Sequence, residues 1–223
     1  MAMPKHIAIS LDDVSEWCRK SDVPIKDACA RYFWLLGDLL KTQVKLNIPI
    51  LSIYLLPENA EKTDYYLAFL EFMGEFFNEL QNKPFISEQK IKISVFGKWY
   101  NLPGKVVESL KKAIEETKEY DSFFANFCIN YDGKEEIVDA CKLVSKQVQL
   151  GKLDPGMITR EIIKENIYSS YFLPPDLILI YGERNLSGLL LWDSANSRIE
   201  FADKSFMEFK EEDIEKFNRN LFK

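Results

Sequence analysis

The 223 residues are 47% hydrophobic and 29% charged, with a formal charge of −6 at neutral pH. That is an ordinary globular composition, long enough to bury one sizeable core, and its acidic balance argues against a nucleic-acid partner, which needs a basic face. No run reaches the ~20 apolar residues of a membrane span, and the four cysteines, Cys18, Cys29, Cys128 and Cys141, form no C-x-x-C pair and have no histidine near them, which argues against zinc.

Cys128 and Cys141 lie in apolar stretches and are expected as reduced core residues. Lys5 and His6 interrupt the amino terminus, so no signal peptide is expected there. A cytoplasmic location follows, with peripheral membrane contact left open. The 9 glycines and 9 prolines are scattered, without a linker, repeat or low-complexity tract, so a single domain over 1–223 is expected.

In chain order, residues 6–11 (HIAISL) predict a strand that runs into a polar turn carrying Asp12, Asp13, Glu16 and Trp17. Residues 25–46 have apolar side chains at helical spacing, with Pro24 just ahead as an initiator. A strand over 48–56 and a helix over 63–81 follow, then a strand over 90–97 and a helix opened by Pro103 and running to 120. Next come a strand over 122–130 and a helix ending at Gly151, a residue suited to a C-cap. A short helix over 161–168 precedes a strand over 176–182, a short helix over 187–195, a strand over 198–202 and a last helix over 211–222. This alternation predicts an α/β fold whose sheet is mostly parallel. Ligands of such sheets bind beyond the carboxyl ends of the strands, so the loops after each strand carry the candidate site. There is no G-x-G-x-x-G and no P-loop, and the one histidine, His6, starts a strand and is expected to be structural.

Four of these stretches are specific. Residues 174–201 (PPDLILIYGERNLSGLLLWDSANSRIEF) resemble the carboxyl-terminal signature P-D-L-x-I-R-T-G-G-E-x-R-L-S-N-F-L-L-W of the cis-prenyltransferases, the undecaprenyl and dehydrodolichyl diphosphate synthase family. Residues 129–140 (INYDGKEEIVDA) resemble its N-Y-G-G-R-x-E-I, the opening stretch its H-x-A-x-I-M-D-G-N-G-R-W, and the segment around Glu58-Asn59 its S-x-E-N-W loop. The resemblance implies a six-stranded, mostly parallel sheet flanked by helices, a hydrophobic tunnel and pairing into dimers. It also implies magnesium-assisted joining of an allylic diphosphate to isopentenyl diphosphate. Asp12 matches the family's catalytic and metal-binding aspartate, while Asn59, Arg184 and Ser187 fall on or beside diphosphate-binding positions. Tyr66, Phe69, Phe72 and Phe76 fall on the helix that lines the tunnel. Read without the resemblance, these aromatics describe a well-packed core helix, and Asp12 a cap for the segment after it.

Several family positions differ. The Gly-Asn-Gly-Arg after the aspartate is Asp13-Val14-Ser15-Glu16 here, the arginine of R-T-G-G-E is Ile180, and the arginine before L-S is Asn185. A metal-site glutamate falls on Arg198, and the terminal Arg-x-Gly is absent. Like charges about 4 Å apart repel by about 1 kcal/mol even in water, so acids at 13 and 16 oppose a bound diphosphate. Three readings follow. The first is a degenerate, non-catalytic subunit of a polyprenyl diphosphate synthase, paired with a homologue or itself through the carboxyl-terminal third. The second is an active, divergent prenyltransferase using Mg2+, Asp12 and an unusual acceptor. The third is a prenyl-lipid binding protein.

Overall fold

The computed structural model describes residues 4–12, 14–182 and 184–220, the side chains of 217–220 excepted. Six parallel strands form one sheet in the order β3-β4-β2-β1-β5-β6: β1 His6–Ser10, β2 Ile50–Pro57, β3 Ile91–Phe96, β4 Phe123–Tyr131, β5 Leu177–Ile180 and β6 Arg198–Phe201. The helices are α1 Val14–Ser21, α2 Ile25–Lys45, α3 Tyr66–Leu80, α4 Pro84–Glu88, α5 Gly104–Thr117, α6 Gly133–Gln149, α7 Arg160–Asn166 and α8 Glu211–Asn220.

Alternation along the strands divides the core. Ile7 and Ile9 face a cluster built with α2, α3 and α5, whereas Ala8 faces a second cluster with Tyr54, Cys128, Tyr131, Leu189 and Leu190. Strands buried on both faces read as near-continuous apolar runs, which is why β1, β2, β4 and β5 were visible in the sequence, whereas β3 and β6 are edge strands and β6, with Arg198 and Ile199 exposed, is covered far less. His6 is structural, as expected. It is buried, its Nδ1–H donates to the Leu173 carbonyl at 2.6 Å, and its Nε2 therefore accepts from the Ser52 hydroxyl at 2.9 Å.

Three local expectations change. The polar turn after β1 is the helix α1, with Val14 buried and its polar residues on the outside. Residues 187–195 form turns followed by a 3-10 turn at Asp193–Asn196, because Ser187 and Leu190 (φ 47° and 44°) and Gly188 (φ 91°) hold left-handed backbone that a helix cannot contain. Cys141 is exposed. The buried stripe of α6 runs through Glu136, Ala140 and Val144, which turns the neighbouring Cys141 to solvent, while Cys128 on β4 is fully buried. No helix among the described residues is long and apolar enough to cross a membrane.

β1 and β5 are neighbours in the sheet centre, and the chain leaves them on opposite faces. After β1 it passes to α1 and α2 against the first cluster; after β5, Leu186, Leu189 and Leu190 pack into the second. The crevice opened at such a reversal is where ligands of parallel sheets bind.

Candidate active site

Asp12 and Gly182 face each other across that crevice. Gly182 has φ 86°, and a Cβ added to it would stand 2.6 Å from the Asp12 Cβ, so only glycine fits beside this carboxylate. The half-buried Asp12 accepts a 2.7 Å hydrogen bond on Oδ1 from the Phe206 N–H and is also bonded by the Ser205 hydroxyl. Burial pushes its carboxyl above the ordinary range, and these two donors partly offset that rise. Beyond any part it has at the start of α1, Asp12 satisfies backbone of the carboxyl-terminal turn at Phe206–Glu208, far along the chain.

A cavity of about 440 Å³ opens on one side of Asp12. Its walls include Arg19, Tyr32, Thr63, Phe69, Tyr181 and Ser187. The aromatics interlock: Tyr32 stands 5.3 Å from both Phe69 and Phe206, and Phe33 stands 4.9 Å from Phe69 and 5.5 Å from Phe76, centroid to centroid. Of these, Tyr32 and Phe69 line the cavity, and the others back them as core. Arg19 is exposed at the rim and makes no ion pair among the described residues. A second cavity, also about 440 Å³, lies on the other side of Asp12 and shares Asp12, Glu16 and Gly182 with the first; Trp17, Arg184 and Ser205 also line it.

The anticipated residues separate accordingly. Asp12 and Ser187 line the first cavity and Arg184 the second, where it pairs with Asp203. Asn59 holds a left-handed turn (φ 67°) after β2 and lines neither cavity. Of the aromatics on α3, Phe69 lines the first cavity, Phe76 is buried core, and Tyr66 and Phe72 are half-buried against that core. Ile180 packs into the second core cluster, so the residue that faces the cavity from this strand end is Tyr181. Arg198 starts β6 in register with Leu177, at the amino end of the sheet. Asp12 lies beyond the carboxyl end, about 16 Å away at strand rise, so Arg198 does not oppose a cation at Asp12 within the same chain. Asp13 and Glu183 lie outside the described residues.

Arg19, Tyr32, Ser205 and Phe206 were not anticipated. The apolar spacing of Val14, Trp17 and Cys18 could have exposed α1 and with it Arg19, and Tyr32 shares the buried stripe of Cys29 and Leu36. No local pattern reports the tie of Asp12 to Phe206, which spans the whole fold.

As to a metal, no group of three His, Cys, Asp or Glu side chains among the described residues could hold one. Mg2+ commonly binds through one carboxylate with the rest of its shell from phosphate and water. Asp12, anchored by Phe206 and facing both cavities, fits that single-carboxylate role.

A family described as putative undecaprenyl diphosphate synthase matches residues 11–221. An isoprenyl transferase of Halalkalibacterium halodurans is 30% identical over 94% of this chain and 82% of its own. A tritrans,polycis-undecaprenyl-diphosphate synthase (geranylgeranyl-diphosphate specific) of Methanopyrus kandleri is 30% identical over 95% of this chain and 79% of its own. Among solved structures, lavandulyl diphosphate synthase from Lavandula x intermedia superposes with a TM-score of 0.92 at 21% identity, covering 98% of this chain and 95% of that one. A probable undecaprenyl diphosphate synthase from Campylobacter jejuni gives 0.78 at 22%, covering 100% and 96%.

Proposed function

Because the chain belongs to the undecaprenyl diphosphate synthase, or cis-prenyltransferase, family, we propose that it binds one short prenyl diphosphate in the Asp12 cavity and transfers that prenyl group without building a long chain. The observation that carries this reading is the cavity itself, open beside Asp12 and Arg19 and walled off by Tyr32 and Phe69. Arg19, exposed at the rim and in no ion pair among the described residues, supplies a cation for the diphosphate end, and a charge-assisted bond to phosphate is its natural use. The aromatic wall takes the hydrocarbon and keeps water from the allylic carbon. Asp12 is held by the Phe206 N–H and orients the diphosphate end of the ligand. Mg2+ bound with the ligand would screen the diphosphate as the allylic C–O bond breaks, the electron pair leaving on the diphosphate oxygen while the double bond of one isopentenyl diphosphate supplies the pair for the new C–C bond and then loses a proton. Ile180 and Asn185, in place of two family arginines, support loss of repeated addition of isopentenyl diphosphate.

The test is product analysis with dimethylallyl, geranyl or farnesyl diphosphate, Mg2+ and isopentenyl diphosphate. Mg2+-dependent consumption of the short allylic diphosphate without polyprenyl product supports the reading. Long-chain product at ordinary synthase rates overturns it.

The second reading is the non-catalytic subunit. It is favoured by Glu16 in the cavity wall and by the capture of Lys98 between Glu58 and Glu135. The exposed Leu173 and Ile199, near the amino ends of β5 and β6, give such a subunit an apolar contact for a homologue or for a second copy. Activity that appears only with a co-purified homologue would select it. Mg2+-dependent binding of the prenyl diphosphate without turnover in either setting would select a prenyl-lipid binding protein.

A further inference from the structure

Arg31, on α2, lines neither cavity beside Asp12, yet α1, α2 and the carboxyl-terminal turn meet at its guanidinium. Its Nε–H and Nη2–H donate to one acceptor, the Met207 carbonyl, at 3.3 and 3.0 Å. Its Cζ stands 6.0 Å from the centre of the Trp17 ring on α1, which is cation–π range. It makes no ion pair among the described residues. The guanidinium is committed to a backbone carbonyl and a ring, which is a geometric use of a charged group.

The turn that it holds, Phe206–Glu208, is the one that anchors Asp12. The Phe206 N–H donates to Asp12 Oδ1 at 2.7 Å, and one residue later the Met207 carbonyl accepts from Arg31. An acid from the end of β1 thus grips the turn at a donor, and a base from α2 grips it at an acceptor. The buried Phe206 and Met207 side chains fix where the turn lies. They do not fix the tilt of its peptide planes, because apolar burial has no direction. Hydrogen bonds at both ends do, since they weaken steeply away from good alignment. A two-donor fork onto one oxygen, backed by an aromatic ring, is the geometry of a planar guanidinium, and the Trp17 ring keeps that fork in place.

We propose that Arg31 is a positioning residue, which sets the angle at which Asp12 meets Mg2+ by fixing the Phe206–Glu208 turn. The proposal rests on the reading of the first cavity as the prenyl diphosphate site and deepens it by naming what aligns its carboxylate. Groups one step behind a metal-binding side chain commonly carry roughly 10–100-fold of the metal affinity.

The test is an Mg2+ titration of the intact protein at a fixed excess of dimethylallyl thiolodiphosphate, an unreactive allylic ligand, with ligand binding as the readout. Arg31→Met keeps an unbranched side chain and removes the donors. In it, the Mg2+ concentration at half-maximal binding is expected to rise by roughly 10–100-fold. Arg31 is exposed, so the variant should fold. An unchanged Mg2+ midpoint overturns the proposal, whatever the melting temperature does, because a merely structural tie would act on melting alone. Absence of Mg2+-dependent binding in the wild type sinks the reading of the first cavity instead. Thermal melts of Arg31→Met, Asp12→Ala and the double variant then judge Arg31 without any ligand. Two residues that act on one turn should give a double variant that melts close to the less stable single variant, whereas additive shifts overturn the proposal.

Discussion

Asp12 Oδ1 and the Phe206 N–H, 194 residues apart in sequence, meet at 2.7 Å and tie the end of the first strand to the carboxyl-terminal segment. Phe206 is fully buried against Tyr32, Tyr181 and Phe209, and the Arg31 guanidinium donates to the next carbonyl, that of Met207, at 3.0 Å. The donor is therefore rigid, and Asp12 is positioned by the fold before any ligand arrives.

Asp12→Ala and Asp12→Asn are expected to part in stability. Alanine leaves the Phe206 N–H without its acceptor and should cost about 1–3 kcal/mol. Asparagine keeps a carbonyl oxygen at the Oδ1 position and should melt near the wild type. Thermal melts of the two variants at neutral pH check this; equal destabilisation would mean that the carboxylate charge, and not the hydrogen bond, holds the segment.

Phe69 is expected to set the length of the ligand. Its ring packs 5.3 Å from Tyr32 and 5.6 Å from Tyr65 and faces the cavity. Phe69→Ala would cost about 3–5 kcal/mol, so Phe69→Leu, which keeps an apolar branch there, is the variant to assay. Competitive binding should show farnesyl diphosphate gaining on dimethylallyl diphosphate. An unchanged ratio would move the end-stop to another wall.

His6 should give the fold an acid-sensitive slope. Burial lowers its pKa from 6.5 to about 4, so the unfolded chain takes up the proton first as pH falls. Stability is lost between those two values, by about 3 kcal/mol in all. Urea unfolding from pH 7 to pH 4 checks it, with His6→Gln as the control that removes this part of the slope. Parallel curves for the two proteins would assign the acid loss to other groups.

The fold was legible because its central strands are apolar on both faces and its long helices keep a 3.6-residue stripe. Asp12, Ser187 and Phe69 were legible as cavity residues for the same reason that they were named, since they belong to motifs at the strand ends or to a periodic helix. The tunnel residues divided because one face of α3 meets the cavity at Phe69 and packs into core by Phe76. α1 was missed since its sequence, VSEWCRKS, buries only Val14 and reads as polar. Cys141 was misplaced because helical phase, not local apolarity, decides which residue of α6 is covered. The role of Arg198 failed on geometry: the register of β6 against β5 puts it at the far end of the sheet, and strand register is invisible in a motif.

The most direct measurement of the central claim is release of inorganic diphosphate from dimethylallyl diphosphate in the presence of Mg2+ and isopentenyl diphosphate as the prenyl acceptor. It should be followed under single-turnover conditions for the wild type and for Asp12→Asn at matched folded fraction. Mg2+-dependent release by the wild type that falls by about two orders of magnitude or more in Asp12→Asn is the result expected of an electrostatic role at the breaking bond. No release by the wild type, or equal release by both proteins, would contradict it.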